Sequence, residues 1–209
     1  IFENSKGIYC YTYYDRGLDS LITGNIVHDN SGLGIHCQAS RYAYQQTEIS
    51  GNEVYNNNDH GILCTRGSSY NPGMEPVLTL NTVYGNSGTG ISCVATTTVE
   101  MIYNDIYSNG GNGVYLSAAN NSHVHYNNFN GNSGSYELEN GNSNSINARL
   151  NYWGAAATAE MEAGGNPKNI GRIYDIYDDP NLGSVNYSDW LTEAVVLPST
   201  LISHIISPP

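Results

Sequence analysis

Positive charge is scarce in this chain. Two Lys and five Arg stand against 19 Asp and Glu, for a net charge of −12. A duplex nucleic acid is therefore excluded as partner, because phosphate binding needs clustered cations. An anionic membrane surface is disfavoured for the same reason. No stretch approaches the roughly 18 apolar residues that would span a bilayer, so membrane insertion is not expected. Met does not stand at position 1, and no leader-like stretch is present. Phe occurs twice, whereas Tyr occurs 18 times and Asn 28 times. That mixture describes a broad polar surface dotted with aromatics, as in polysaccharide binders and extracellular scaffolds.

What the chain has instead is a repeat. Ile22-Thr23-Gly24-Asn25-Ile26-Val27-His28-Asp29-Asn30 is followed by Ser31-Gly32-Leu33-Gly34-Ile35-His36-Cys37, and later blocks keep that skeleton. Its first Asn recurs as Asn25, Asn52, Asn81, Asn104, Asn127 and Asn151, at intervals of 27, 29, 23, 23 and 24 residues. Two residues on stand Val27, Val54, Val83, Ile106, Phe129 and Trp153, and then come Asn30, Asn57, Asn86, Asn109 and Asn132. Such a period points to stacked repeats rather than a closed globule. Within each block apolar and polar residues alternate over short runs, which is strand periodicity. Asn tolerates left-handed backbone, so an Asn at each corner is expected to turn the chain between short strands. Stacking at about 4.8 Å per turn then aligns like residues as ladders.

Gly-Ile-x-Cys appears at Gly7–Cys10, Gly34–Cys37, Gly61–Cys64 and Gly90–Cys93, then decays to Gly113-Val114-Tyr115-Leu116 and Ser135-Tyr136-Glu137-Leu138. Cys10, Cys37, Cys64 and Cys93 thus share one repeat position, which Leu116 and Leu138 are expected to inherit. Leucine as heir favours an inward file of small hydrophobic thiols. Disulfides between neighbouring turns stay open as the alternative, since in-register spacing permits them. A column of four Cys does not make a zinc tetrahedron. His28, Tyr55, Tyr84 and Tyr107 alternate with the inward Val/Ile positions and are expected to form an outward vertical stack.

These residues resemble the right-handed, pectin-lyase-like family of carbohydrate-binding and sugar-hydrolase repeats. The resemblance covers residues 1 to about 154. It implies an all-β fold: a right-handed parallel β-helix of about six to seven turns with a C-terminal capping segment. The expected organisation is repeats over 1–154, a cap with a short helix and extended segments over 155–197, and an apolar, proline-flanked tail or linker over 198–209. Asn151-Tyr152-Trp153-Gly154 followed by Asp189-Trp190-Leu191 resembles the end segment of secreted β-helices, which covers the last turn's open edges. The repeat type implies an extracellular or cell-surface location. Ile1 and Asn4 match Val27 and Asn30, so the chain opens part-way round a turn. A piece of something longer, or a first turn without a cap, is the expectation.

Insertions fall at one corner of the first three repeats, and in stacked repeats such a corner often binds. It gathers Tyr11, Tyr13, Tyr14, Asp15, Arg16, Arg41, Tyr42, Tyr44, Arg66, Tyr70 and Glu75. Tyr rings suit sugar faces and Arg forks suit sugar acids, so a polysaccharide or other glycan is the expected partner. A lyase would need a base with a cationic partner and often Ca²⁺ on a uronate. A hydrolase would need two carboxylates about 5–10 Å apart, for which Asp15 or Asp19 with Glu75 is the available pair. The Asn-Thr-Asp, Gly-Asp-Asp and Gly-His-Gly signatures of polygalacturonases are missing, as is the Trp-Ile-Asp-His run of pectate lyases. Asp59-His60 fills an ordinary turn slot.

The expectation is therefore a polysaccharide-recognising module without a resident cofactor, with lyase- or hydrolase-like activity left open because no catalytic motif of those enzymes is present. Ca²⁺ at Asp175, Asp178 and Asp179 lacks a spaced loop pattern. His123 and His125 share one strand face above Glu100, but zinc would want a third ligand. Asn120-Asn121-Ser122 and Asn186-Tyr187-Ser188 are glycosylation sequons. A second reading is a structural or adhesive protein that self-associates through an exposed strand edge and the apolar tail.

Overall fold

The computed structural model describes residues 1–14, 17–67, 72–118 and 122–198. Asp15, Arg16, Tyr70, the Asn120 sequon position and nearly all of the tail lie outside the described residues. The first turn is β1 (Ile8–Tyr13), β2 (Gly17–Thr23) and β3 (Ile26–His28). The second is β4 (Ile35–Ser40), β5 (Tyr44–Ser50) and β6 (Glu53–Tyr55), and the third β7 (Ile62–Arg66), β8 (Gly73–Thr79) and β9 (Thr82–Tyr84). The fourth is β10 (Ile91–Val94), β11 (Glu100–Ile102) and β12 (Asp105–Tyr107), and the fifth β13 (Val114–Ser117), β14 (Ser122–His125) and β15 (Asn128–Asn130). Every pairing between turns is parallel. The chain is a parallel β-helix.

Five turns have all three sides, fewer than the six to seven expected. The sixth has β16 (Leu138–Asn140) and β17 (Ile146–Asn147), with an isolated bridge at Tyr152 as its third side. The capping segment then goes round once more. It passes through α1 (Gly154–Glu162), β18 (Ile173–Tyr174) and β19 (Val185–Asn186), and Leu191 bridges to Tyr152. The cap thus adds a strand to two of the sheets and an isolated bridge to the third side, giving among the described residues two seven-stranded sheets and one of five. Alanines favour α1, and Gly164 and Gly165, at φ 82° and 79°, stop it. Its buried Ala157, Thr158 and Met161 close the end of the core over Trp153.

Inside, like sits on like. Ile22, Ile49, Leu78, Met101 and Val124 form one file, and Val27, Val54, Val83, Ile106 and Phe129 another. Phe129 stacks on Trp153 at 4.9 Å. Cys10, Cys37, Cys64 and Cys93 stand in register beneath Leu116, and all four are free thiols. The expectation for Leu138 is corrected. It lies above Val114 in the isoleucine file, and Asn140 lies above Leu116. The last turn runs one residue longer from Asn132, which moves the frame to Glu137-Leu138-Glu139-Asn140.

The corner geometry also differs from expectation. The ladder asparagines are not the left-handed residues. Their predecessors are: Gly24, Gly51, Leu80, Tyr103, Tyr126 and Leu150 have φ between 57° and 65°. Each ladder Asn turns its amide inward instead. Asn104 Oδ1 accepts from the backbone N–H and the Nδ2 of Asn81, and Asn104 Nδ2 donates to Leu78 O and Asn127 Oδ1. The Asn30 series repeats that pattern up to Asn132. The buried amides therefore satisfy each other along the column. A glycine follows each second ladder because the next turn's backbone and core side chain crowd it. A Cβ on Gly34 would lie 2.5 Å from Gly61 O and 2.6 Å from Val54 Cγ1.

Candidate functional site

The first three turns have longer strands than the rest, so the corner insertions extend two sheets more than they build loops. Tyr11 and Tyr13 belong to β1, and together with Tyr9 they make a row on its outer face. Strand alternation places them there. Ring centroids are 5.8 Å apart for Tyr9–Tyr11 and 5.9 Å for Tyr11–Tyr13, with the planes tilted by 23° and 32°. Each ring stays 42–48% exposed. Tyr14 meets Tyr13 edge-on at 4.8 Å.

A cation caps each end of the row. Lys6 Nζ lies 4.1 Å from the Tyr9 ring centre, and the Arg41 guanidinium lies 4.8 Å from Tyr13 and 4.6 Å from Tyr14. Arg41 also donates to the Tyr14 hydroxyl. Beneath the row, Tyr9 donates to Gln38 Oε1 and stacks on His36 at 4.9 Å. His36 faces outward, as its place between Ile35 and Cys37 demands, yet Tyr9 and Lys6 leave it only 7% exposed. Burial, then the Lys6 charge, lowers its pKa to about 4.

The row does not gather every corner residue. Tyr42 is exposed on the turn after β4. Tyr44 donates to Glu75 on the outer face of the next sheet, and this bond, with burial, pushes its pKa up to about 12. Asp19 and Glu75 share one outward column with Gln46 between them, about 10 Å apart at the backbone by two strand spacings. Arg66 ends β7 at the register position of Ala39, on the parity of the inward residues. Tyr9, Lys6, His36 and Gln38 are members that the insertion pattern missed; alternation along Tyr9-Cys10-Tyr11-Thr12-Tyr13 is the signal that carries the first.

A second aromatic feature is a true column. Phe2, His28, Tyr55, Tyr84 and Tyr107 stack at 4.9–5.3 Å, with Phe2 extending the series read from the sequence. Their faces are taken by one another. Tyr84 donates to Glu53 Oε1, and burial followed by that bond pushes its pKa up to about 12.

The other motifs resolve into turn chemistry. Asp59 Oδ1 accepts from the His60 N–H, and His60 Nδ1 accepts from the Thr89 N–H. Asp175 accepts from the N–H groups of Tyr177 and Val185, while Asp178 accepts from the Asp175 N–H. Those carboxylates cap backbone rather than converge on a cation.

The sequence profile of the family described as "Periplasmic copper-binding protein (NosD)" matches residues 1–178, and the chain belongs to that family. The family is one of right-handed β-helices with the pectin-lyase-like fold. No curated protein and no solved structure matches the chain. Among the described residues no helix is long and apolar enough to cross a membrane.

The family description raises copper. Among the described residues no three His, Cys, Asp or Glu side chains form a metal-holding group. The thiol file does not fit. Cys37, Cys64 and Cys93 are fully buried. The Cys10 thiol is raised by its hydrogen bond with Cys37 and by burial. For Cys37 and Cys64 the bond from the earlier thiol lowers the pKa, but the later thiol and burial outweigh it, so both lie well above the thiol range. Metal ligation needs thiolate.

Proposed function

We propose that this member of the NosD family is an extracytoplasmic β-helix that recognises polysaccharide along β1, with sugar rings laid on Tyr9, Tyr11 and Tyr13. One observation carries the reading: an exposed row of three rings with a cation at each end, on a chain that otherwise has few cations. Tyrosine offers an apolar face to the C–H face of a pyranose and a hydroxyl to its rim. Lys6 and Arg41 supply charge for acid groups on the polymer. On a chain of net charge −12, these are positions that an acidic glycan meets without repulsion. The family's periplasmic description supports the compartment. The role is recognition: Asp19 and Glu75 sit on an open sheet face, and Glu75 is engaged by Tyr44.

The test is binding to immobilised neutral and uronate-bearing polysaccharides, with wild type against Tyr11→Ala and Arg41→Ala. We expect preference for the acidic polymers, a loss of at least tenfold on Tyr11→Ala, and a binding constant that falls with salt. Equal binding by wild type and Tyr11→Ala, or no binding to any polymer, overturns the proposal.

A further inference from the structure

The chain has two lysines against 19 carboxylates, yet Lys6 forms no ion pair among the described residues. Its ammonium lies against neutral rings instead. Lys6 Nζ is 3.1 Å from His36 Nδ1 and 4.1 Å from the centre of the Tyr9 ring. An ammonium has only donors, so Nδ1 accepts and the imidazole proton sits on Nε2. That nitrogen is 3.3 Å from Thr65 Oγ1, to which it donates. Burial, then the Lys6 charge, lowers the His36 pKa to about 4, which leaves the ring neutral and its lone pair open at pH 7.

These three residues come from three successive turns. Lys6 precedes β1, His36 lies on β4 and Thr65 on β7. His36 is in register with Tyr9 and stacks on it at 4.9 Å. One imidazole therefore fixes both partners at this end of the row, with its face to Tyr9 and a ring nitrogen to Lys6. A free Lys side chain samples many rotamers, and ordering it costs entropy that weakens the binding of an anion. Here the ammonium is ordered before any anion arrives. A histidine that merely filled space beneath Tyr9, the plainer reading, gains nothing from a cation beside it, because that charge opposes its own protonation and the ammonium leaves water for a single acceptor.

We propose that His36 is a positioning residue of the tyrosine row: braced by Thr65, its Nδ1 holds the Lys6 ammonium over Tyr9 and thereby sets how strongly the row prefers acidic polymers to neutral ones. The inference rests on the glycan reading of that row. His36 is 7% exposed, so it acts through Lys6 rather than by touching the polymer. Arg41, at the other end, is anchored separately on the Tyr14 hydroxyl.

The test uses the full chain at pH 7 and low salt, with a sulfated polysaccharide as the acidic probe and an uncharged polysaccharide as the reference. His36→Leu keeps an apolar surface beneath Tyr9 but has no acceptor, and we expect it to lower the acidic-to-neutral affinity ratio about fivefold. His36→Asn, whose carboxamide oxygen stands near the position of Nδ1, restores the ratio to within about twofold of wild type. Lys6→Met lowers the ratio about fivefold, and combining it with His36→Leu loses no more than either change alone, because both remove one contact. Thr65→Val removes the brace and lowers the ratio about threefold, which keeps the proposal refutable if His36→Leu fails to fold. A polymer-free measurement accompanies these: the Lys6 ammonium, slowed in proton exchange by its hydrogen bond, gives a heteronuclear NMR signal in wild type and His36→Asn that His36→Leu lacks. An unchanged ratio in His36→Leu, equal losses toward both polymers, or a double variant that multiplies the single losses overturns the role of His36 and leaves the glycan reading standing. No binding of either polymer by wild type, with the Lys6 signal present, overturns the glycan reading and the role of His36 with it.

Discussion

Asn132 and Glu137 end one of the two asparagine ladders: Asn132 Nδ2 donates to Glu137 Oε2 at 2.5 Å, where each earlier Asn donates to the next Asn. Glu137 stands where the earlier turns have glycine. A side chain fits because beyond Trp153 the chain enters α1 and no further ladder Asn comes round. The carboxylate is 3% exposed, and Arg172 pairs with its other oxygen at 2.9 Å while also holding the carbonyls of Asn132 and Ser135. Removing one partner of a buried pair leaves an uncompensated charge. Arg172→Met is expected to cost about 2–4 kcal/mol in urea unfolding, and Glu137→Gln with Arg172→Met together less than Arg172→Met alone. A double variant no more stable than the single one contradicts this account.

Mid-ladder asparagines should matter more than the first. Asn104→Ala removes the acceptor of the Asn81 N–H, one of the two acceptors of Asn81 Nδ2 (Ile49 O stays) and the side-chain donor to Leu78 O, all buried. We expect a loss of about 3 kcal/mol, against about 1 kcal/mol for Asn25→Ala, whose amide sits half-buried at the first turn. Chemical denaturation of the two variants side by side decides it.

Acidification should weaken the fold through His36. Its folded pKa, about 4, lies below the unfolded value of 6.5. Between those limits the unfolded chain binds more protons, so stability falls as pH falls through this window and levels off below it. The loss from pH 7 to pH 4.5 is expected to be about 2 kcal/mol larger in wild type than in His36→Gln. Asp105, Glu139 and Asp175, all raised first by burial, act in the opposite sense on acidification but are common to both proteins. Equal pH dependence in the two chains refutes the assignment.

The two aromatic features should separate. Tyr84→Ala removes a ring stacked on both faces and a bond to Glu53, and is expected to lower stability by about 1–3 kcal/mol while sparing polysaccharide binding. Tyr11→Ala is expected to do the reverse. Melting temperature and binding, measured on both variants, must move in opposite patterns.

Thiol accessibility checks the interior file. Native protein should react at Cys10 alone, and slowly, because its thiol stays protonated; Cys37, Cys64 and Cys93 should react only on unfolding. Fast labelling of more than one thiol would mean the file is not inside.

The sequence by itself settled the β-helix, the four-cysteine file and the His28–Tyr107 column, because a side chain's position within each repeat, together with strand alternation, states which neighbour it will meet one turn later. It could not place the left-handed corners. Asn has the propensity for them, but its amide bonds to the next turn's Asn, and the left-handed backbone falls to its predecessor: freely at Gly24, with strain at Leu80 and Tyr103. Nor could it see that Leu138 leaves the cysteine file, since one added residue before it matters only once the turn is closed. The pairing of Glu137 with Arg172 and the covering of His36 by Tyr9 join residues from different turns across spacings that no single repeat encodes. Those were decided when the coil stacked and the cap came round.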